Sequence, residues 1–389
     1  MRLAVLAIAA VLLAGPAVAV PPEEPPPPPW EPFAPNQAKR VMDQTGARGL
    51  AMARIHKGKV QWVRAFGERN AKGEPLTPQT VMYGASLTKA VFAYTVLQLV
   101  DEGKLDLDAP ISRYLTRPLP EYAGFGDAYA PYETLKDERW RSITPRMLLT
   151  HSAGFSNFYW DNPGEQLVIH FDPGRRYAYS GDGLILLQFV LEKGLGLDLG
   201  AEMQRRVFDR FGMKNTSMKW RPDFAANLAD GWDENGRPEP HDERSRVRAA
   251  GSMDTTIEDF ALFAAGMVRG EGLSPASRRE MTRGILPITT ASQFLTLQPE
   301  LPPAERRKDL AAGLGVVVFD GPMGPGFFKG GHNEVTANTW VCVEREQDCL
   351  VILANDVRAE KAFPELVGYL LGKTGAPYDW EYGFRPNAK

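Results

Sequence analysis

Three short motifs in this 389-residue chain contain side chains that can perform nucleophilic catalysis. In the first, Ser86 and Lys89 are three residues apart at the start of the apolar stretch 86–100. If this stretch is a helix, both side chains lie on one face, because positions i and i+3 are neighbours on a helix surface. A serine hydroxyl needs a nearby base, and burial lowers the pKa of a lysine enough to make it one. An ordinary helix start is the alternative, but an unpaired lysine in an apolar helix is costly, which favours catalysis.

The second and third motifs are weaker signals when taken singly. Tyr179 precedes a predicted helix, where it either packs or, held near cations, acts as a phenol of lowered pKa that shuttles protons. Lys329 is followed by Gly330 and Gly331 and then by a predicted strand. Glycines at a strand let a ligand or another backbone come close. The lysine can then bind a substrate carboxylate or polarise the hydroxyls, and a solvated lysine in a glycine-rich turn is the alternative.

In this order, Ser-x-x-Lys, Tyr-Ser-x and Lys-x-Gly resemble the motifs of the penicillin-recognising serine hydrolases. The most similar branch holds the class C β-lactamases, the D-alanyl-D-alanine carboxypeptidases and related esterases. Further similar stretches are LDLDAPISRYL, TPRMLLTHSAG, GMKNTSM and AAGSMDTTIEDFA. The resemblance covers about residues 36–372.

The resemblance implies an α/β fold, in which an antiparallel sheet is flanked by helices and carries an inserted, mostly helical domain. The active site would lie in the groove between the two domains. By position in the motifs, Ser86 would be the acylated nucleophile, Lys89 and Tyr179 would share the proton transfers, and Lys329 would anchor the substrate. The backbone N–H groups of Ser86 and His332 would form the oxyanion hole. The substrate would be a small molecule or a peptide, and no metal or organic cofactor is required.

The chain departs from the family pattern at three places. Gly181 stands where the tyrosine motif usually has an Asn that contacts the substrate, and Gly330 removes the usual hydroxyl of the third motif. After that motif the family often has Gly-Phe, where this chain has Val335-Thr336. These changes leave the acylation chemistry intact but argue against β-lactam recognition, and they favour an ester or amide substrate. The predicted substrate-binding residues are Gly181, Gly331, Asn333 and Glu334.

Several neighbouring residues have two interpretations. Glu334 either lies at the cleft, where it would repel anions or bind an amine, or is a solvated strand residue. The side chains of His332 and His151 are predicted to be structural, with general-base catalysis by His332 as the alternative. The aromatic residues 158–160 either line the groove or pack a loop.

The elements predicted to hold these motifs come in the order strands, helices and strands again, followed by a last helix. A hairpin is predicted over 49–66, turning at Lys57-Gly58-Lys59. Further strands are predicted at 313–319, 337–343 and 349–354, and helices at 86–100, 143–150, 183–194, 198–211, 256–269 and 360–372. This order indicates one antiparallel sheet built from both ends of the chain. The predicted units are a sheet domain (36–85 and 245–375), a helical domain (86–244) and a tail (376–389).

The two cysteines, Cys342 and Cys349, flank a polar hairpin tip at 344–348. Folding at Arg345-Glu346 puts them opposite each other, where Cβ atoms are about 4.5–5.5 Å apart. This arrangement predicts a disulfide, with two reduced and buried thiols as the alternative. Two Cys and five scattered His have no recognised zinc-ligand spacing, so no metal site is predicted.

The N-terminal segment predicts export. Arg2, the apolar run 3–14 and the triplet 17–19 (Ala-Val-Ala) are typical of a secretory signal peptide. Cleavage after Ala19 would leave no stable membrane span and a periplasmic or secreted protein, and a retained anchor is the alternative. Residues 20–35 form a proline-rich linker that predicts an extended spacer.

Composition excludes one class of partner. With 45 Lys+Arg against 48 Asp+Glu, the chain lacks the basic excess of a nucleic-acid binder or of a polybasic membrane surface. We therefore predict an exported serine hydrolase that forms an acyl-enzyme on Ser86 and cleaves an ester, an amide or a D-amino-acid peptide bond, with β-lactams as a further candidate. The alternative is a catalytically weak penicillin-binding-type sensor or binding module of the cell envelope. The sequence does not determine the oligomeric state.

Overall fold

A computed structural model describes residues 34–383 of the chain. The predicted signal peptide, residues 20–33 of the proline-rich linker and residues 384–389 of the predicted tail lie outside the described residues. Among the described residues, no helix is both long and apolar enough to cross a lipid bilayer.

An eight-stranded antiparallel sheet forms the centre of the molecule. The described residues contain twelve strands, eight of which belong to this sheet. In chain order the twelve are β1 (Gly49–His56), β2 (Lys59–Gly67), β3 (Met82–Tyr83), β4 (Gly231–Trp232), β5 (Pro238–Glu239), β6 (Asp254–Thr255), β7 (Leu286–Pro287), β8 (Leu310–Ala312), β9 (Val317–Gly321), β10 (Gly324–His332), β11 (Ala337–Val343) and β12 (Asp348–Ala354). The order across the sheet is β2-β1-β12-β11-β10-β9-β8-β7, while β3 pairs with β6 and β4 with β5 outside it. Because β1 pairs with β12, strands from both ends of the described chain share one sheet.

The central strands are buried on both faces, which explains their continuous apolar sequences. Every residue of β11 and β12 is buried. Alternate side chains point to opposite faces of a strand, so Val351 and Leu353 pack in one core while Leu350 and Ile352 pack in the other. A sheet covered on both sides needs helices on both sides.

Those helices come from all parts of the chain. In chain order they are α1 (Ala34–Thr45), α2 (Leu87–Asp101), α3 (Pro145–Leu149), α4 (Gly181–Phe189), α5 (Leu199–Met203), α6 (Asp209–Phe211), α7 (Ile257–Arg269), α8 (Pro275–Thr282), α9 (Phe363–Leu370) and α10 (Tyr378–Tyr382). Wider π-helical turns extend α4 through 190–194 and α5 through 204–208. Helices α1 and α9 pack on one face of the sheet and α7 packs on the other. The predicted α/β fold with an antiparallel sheet and flanking helices is confirmed.

Helix α2 is the most deeply buried helix near the motifs. All its residues from Leu87 to Leu99 are buried, as expected for a helix that is apolar on every side. The helix ends beside Gly103, whose φ of 68° lies in the left-handed region that favours glycine. Its first turn carries the Ser-x-x-Lys motif, so the surrounding core fixes the position of that motif.

Glycines account for two differences between the predicted and observed strands. Of the predicted strand 313–319 only 317–319 lie in a strand, β9, because Gly315 has a φ of 74° and makes a turn between β8 and β9. The third motif does not precede a strand but lies inside β10, which begins at Gly324. Glycine-rich sequence weakens the strand signal of β10, since glycine lacks a side chain that packs on a sheet.

The first part of the predicted tail is instead a structural element. Residues 378–382 form α10, in which Tyr378 and Trp380 are buried against the core that contains α1 and α9. The indole N–H of Trp380 points to the hydroxyl of Thr290, at 3.4 Å. The prediction of a tail from 376 is therefore wrong over 378–382. A five-residue helix is too short to show a periodic apolar pattern in the sequence.

The hairpin that joins β11 and β12 has Cys342 directly opposite Cys349. The structure joins the two side chains in a disulfide with an S–S distance of 1.98 Å. Both residues are fully buried in the core that also holds Trp340.

Candidate active site

Ser86 lies immediately before the first turn of α2. The preceding residue, Ala85, has a φ of 46°, a left-handed conformation that is costly for a residue with a Cβ atom. Such strain is kept only where the surrounding structure holds it, and it is typical of functional sites. The backbone therefore holds the Ser86 side chain in a fixed position at the N-terminal end of α2.

Lys89 lies on the same face, one turn further along α2. Its Nζ donates to the Ser86 Oγ at 2.9 Å and also to the backbone oxygen of Ala250. The residue is only 2% exposed. Burial, with a smaller contribution from the positive charge of Lys329, holds the pKa of Lys89 well below its ordinary value of 10.5. An amine with a lowered pKa beside a hydroxyl can act as the base that a serine nucleophile requires.

Tyr179 approaches Ser86 from another segment of the chain. Its hydroxyl donates to the Ser86 Oγ at 2.8 Å, and the Lys89 Nζ is 5.0 Å from the centre of its ring. Burial raises the pKa of Tyr179 above 10.0, and the hydrogen bond to Ser86 only partly opposes that rise. The expectation of a phenol with lowered pKa is therefore wrong, because the cost of burying a phenolate exceeds the effect of the nearby cations. The phenol is neutral and donates.

Lys329 lies next to this group, beside the ring of Tyr179. Its Nζ donates to the backbone oxygen of Gly330 at 2.7 Å and lies 5.4 Å from the centre of the Tyr179 ring. Burial lowers the pKa of Lys329 to about 8, while the negative charge of Glu381 acts in the opposite direction. The lysine is thus a buried cation behind the tyrosine.

Strand β10 runs close to the start of α2. A Cβ atom on Gly331 would lie 3.0 Å from the backbone nitrogens of both Ser86 and Leu87. Such contacts are tighter than nine in ten of those that real Cβ atoms make, so glycine lets the strand approach the start of the helix here without pushing the two apart. His332 follows directly, at the edge of the same cleft.

These residues open into a cavity of about 720 Å³. Of the predicted site residues, Ser86, Lys89, Tyr179, Gly331, His332, Asn333 and Glu334 line it. Glu334 is exposed at the mouth, while the Asn333 side chain turns back to accept from the Val335 N–H at 3.1 Å.

Gly181 is the predicted substrate-binding residue that does not line the cavity. A Cβ atom at this position would lie 2.5 Å from the ring of Phe158, so that ring fills the space that a side chain would occupy. The Gly181 N–H donates to Oδ1 of Asn157 at 3.0 Å, and both Asn157 and Phe158 line the cavity. The prediction for Gly181 is therefore corrected: the 157–158 segment stands between it and the cavity.

The two histidines have side-chain partners outside the serine group. The His332 Nδ1 is 2.9 Å from the carboxylate of Glu360. Burial lowers the pKa of His332, but the hydrogen bond and the charge of Glu360 outweigh it, so the net change is upward. His151 is buried, accepts from the Ser180 N–H at 3.1 Å, and packs its ring 4.6 Å from that of Tyr179. Burial holds the pKa of His151 well below 6.5, so it is a neutral support for Tyr179.

Sequence reasoning missed several residues on the cavity wall, and three of them contact the predicted site residues. Phe294 packs its ring 5.6 Å from that of Tyr179, and Glu381 and Glu360 approach from the segments after the sheet. None of them belongs to a motif, and each lies far along the chain from the residues that it contacts. For Phe158, the structure selects the groove-lining alternative, and its ring stacks on Trp160 at 4.3 Å.

Comparison with known proteins identifies the family. Residues 36–369 match the family described as Beta-lactamase. The chain belongs to the beta-lactamase family. The resemblance seen in the three motifs is thereby confirmed.

Two curated proteins named for different activities are similar to this chain. A lovastatin esterase of Penicillium rubens is 33% identical over 195 residues, 43% of this chain and 48% of that protein. A monacolin J acid methylbutanoyltransferase of Aspergillus terreus is 29% identical over 211 residues, 46% of this chain and 50% of that protein. The chain thus spans about half the length of these curated relatives.

Solved structures show the same fold at lower identity. An octameric penicillin-binding protein homologue from Pyrococcus abyssi superposes with a TM-score of 0.69 at 20% identity, covering 89% of this chain and 78% of that one. A D-alanine carboxypeptidase, AmpC, from Burkholderia cenocepacia gives 0.68 at 19% identity, covering 88% and 98%.

In this beta-lactamase family member, the geometry suits acyl transfer. The Ser86 Oγ receives hydrogen bonds from both Lys89 and Tyr179, so two proton-carrying groups meet at one oxygen. General acid–base groups at hydrogen-bond distance contribute about 10²–10⁴-fold to a reaction rate. The open side of the oxygen faces the cavity, where a carbonyl carbon can approach.

Proposed function

We propose that this chain is an exported serine hydrolase that cleaves carboxylic esters through an acyl-enzyme on Ser86. The observation that carries the proposal is the convergence of the Lys89 amine and the Tyr179 hydroxyl on the Ser86 Oγ, at 2.9 and 2.8 Å. Export rests on the signal-like segment 1–19 and implies a periplasmic or secreted location.

Acylation begins when the neutral amine of Lys89 takes the proton of the Ser86 hydroxyl. The Oγ then bonds to the ester carbonyl carbon, and the carbonyl oxygen becomes an oxyanion held by the backbone N–H groups of Ser86 and His332. When the intermediate collapses, the bond to the leaving oxygen breaks. Tyr179 protonates that oxygen and regains a proton from the Lys89 ammonium.

Deacylation reverses these roles with water as the nucleophile. Lys89 takes a proton from the water while the water oxygen bonds to the acyl carbon. The ester bond to the Ser86 Oγ then breaks, and the proton returns to Oγ through Tyr179. The products are a carboxylic acid and the free enzyme, so the cycle needs no other reactant.

Two features support an ester over a β-lactam. The Asn and hydroxyl contacts usual in the second and third motifs are absent at Gly181 and Gly330. The cavity wall instead carries the rings of Phe158 and Phe294, which suit an apolar acyl or alcohol group. The names of the similar esterase and methylbutanoyltransferase agree with this class of substrate.

The test is a hydrolysis screen with p-nitrophenyl butyrate, a D-alanyl-D-alanine peptide and a chromogenic cephalosporin. We expect the ester to be preferred, and the Ser86→Ala variant to lose about 10³-fold or more of kcat/KM. A fluorophosphonate probe should label Ser86 in the wild type, as peptide mapping would verify. Ser112→Ala, a serine away from the cavity, is the matched control and should keep full activity and labelling.

Two results would count against this proposal. Ester hydrolysis that survives in Ser86→Ala would remove the nucleophile from the mechanism. An adduct on Ser86 that forms but never hydrolyses would instead support the alternative of a sensor or binding module. Gly181 and Gly330 are the observations that favour that alternative, because both reduce polar contacts to a substrate.

A further inference from the structure

A buried carboxylate occupies the space that Gly330 leaves open. A Cβ atom on Gly330 would lie 2.5 Å from the Glu381 Oε1 and 2.8 Å from the hydroxyl of Tyr382. Glu381 is only 5% exposed and lines the same cavity as Ser86. The short helix α10 therefore delivers an acidic group to the exact position from which the motif has lost its side chain.

The chain holds this carboxylate in place with apolar anchors on both sides. Tyr378 and Trp380 of α10 are buried, and the Tyr378 ring packs at 5.5 Å on the ring of Phe328, which neighbours Lys329 in β10. A buried carboxylate is costly unless charges or hydrogen bonds compensate it. Burial raises the pKa of Glu381 above its ordinary value, while the positive charges of Lys329 and His332 and a hydrogen bond with Gln293 act in the opposite direction.

Two cations at or beside the cavity, Lys329 and His332, each have an acidic counterpart. The negative charge of Glu381 acts on Lys329. The carboxylate of Glu360 lies 2.9 Å from the Nδ1 of His332. In the proposed mechanism Lys89 is the neutral base and adds no charge, in keeping with the lowering of its pKa by burial. An anionic substrate group near Lys329 would thus meet a negative charge at the same place, and Coulomb repulsion between buried like charges is strong.

We propose that Glu381 is a specificity-determining residue that cancels the anion-binding capacity of Lys329 and restricts the enzyme to esters without a negative charge. This inference rests on the proposed ester hydrolysis and adds the charge class of the substrate. It assigns a role to α10, which contains none of the three motifs.

The experiment compares two esters that differ only in charge. One is 4-(butyryloxy)benzenesulfonate, and the other is the neutral N,N-dimethylsulfonamide of the same ester. The sulfonate stays ionised near neutral pH, and both leaving groups are substituted phenols of similar size. The measured quantity is the ratio of kcat/KM for the neutral ester to that for the anionic ester.

We expect the wild type to prefer the neutral ester by about tenfold or more, because the negative charge of Glu381 repels the sulfonate in surroundings of low dielectric constant. In Glu381→Gln, which keeps the shape and the hydrogen-bonding ability, the ratio should fall by about tenfold. The fall should come from faster cleavage of the sulfonate, with kcat/KM for the neutral ester within about threefold of wild type. Glu346→Gln, the same charge change on the 344–348 hairpin tip, is the matched control and should keep the wild-type ratio.

A role of Glu381 in packing alone predicts other results. In that case Glu381→Asp, which keeps the charge on a shorter side chain, would alter the ratio as much as Glu381→Gln, and the proposal would be overturned. It would also be overturned by a wild type that cleaves the sulfonate as fast as the neutral ester, a result that needs no variant. Loss of hydrolysis of both esters by the wild type would instead count against the proposed function, so the two failures are distinguishable.

Discussion

The catalytic group and the cavity wall of this protein are built in different ways. Ser86, Lys89 and Tyr179 form a group in which hydrogen bonds of 2.9 and 2.8 Å meet at one oxygen. The wall, by contrast, is made of Phe158 and Glu381, side chains from segments with no motif. The first region consists of residues that belong to short sequence motifs, and the second of residues from distant segments that fold over it.

The difference is clearest at the two glycines that depart from the family pattern. An aromatic ring fills the space beside Gly181, and a carboxylate fills the space beside Gly330. The missing side chains have therefore been replaced by groups of different chemistry. The proposed function thus assigns reaction type and substrate preference to separate parts of the sequence, and substitutions should separate them too.

The largest expected effect comes from removing the base of the catalytic group. Lys89→Met keeps an unbranched apolar side chain in the buried helix but has no amine to accept the Ser86 proton. We expect kcat/KM to fall by about 10²–10⁴-fold for every ester, since a positioned general base contributes that much. Steady-state kinetics on a neutral and an anionic ester would measure it.

The comparison would fail if Lys89→Met changed the preference between esters instead of the overall rate. A matched control is Lys104→Met, the same change at an exposed residue beyond the end of α2. That variant should keep the wild-type rate.

A change in the wall should have a smaller and selective effect. Phe158→Ala removes the ring that covers Gly181 and enlarges the cavity. We expect the kcat/KM ratio of p-nitrophenyl octanoate to butyrate to rise about tenfold, the usual effect of one or two methylenes in an apolar pocket. Trp160→Ala removes the stacked neighbour, which does not line the cavity, and should shift the ratio much less. An equal loss for both esters in Phe158→Ala would contradict the division between the two regions.

The smallest effect concerns stability and not activity. The folded-state pKa of Lys89 lies well below 10.5, so between these two values the unfolded chain binds more protons than the folded chain. In that window the stability of the wild type rises with pH, by about 1.4 kcal/mol per pH unit for this one group. Lys89→Met has no such group and should be more stable near neutral pH, with an advantage that shrinks as the pH approaches 10.5.

Urea unfolding of both proteins at several pH values would measure this difference. Other titrating groups are common to the two chains, so they cancel in the comparison. A stability difference that did not change with pH would mean that Lys89 is not deprotonated by burial, and the proposed base would lose its physical support.

Parts of the fold were predictable because their signals are local. The β1–β2 hairpin has alternating residues and a Lys-Gly-Lys turn, and α2 has an apolar surface all round followed by Gly103. The spacing of Ser86 and Lys89 depends only on helix geometry. In contrast, β10 was difficult to predict because its glycines suppress the strand signal, and α10 because five residues are too few for a periodic pattern.

The sequence by itself identified the residues of the proposed reaction centre, namely the nucleophile, the base and the phenol, and the fold class that holds them. Only the tertiary structure decided what surrounds that centre, namely the ring beside Gly181, the carboxylate beside Gly330 and the raised pKa of Tyr179. The physical reason is the distance along the chain over which each effect acts. Helix and strand periodicity act over a few residues, whereas burial and electrostatic fields depend on segments that meet only when the chain is folded.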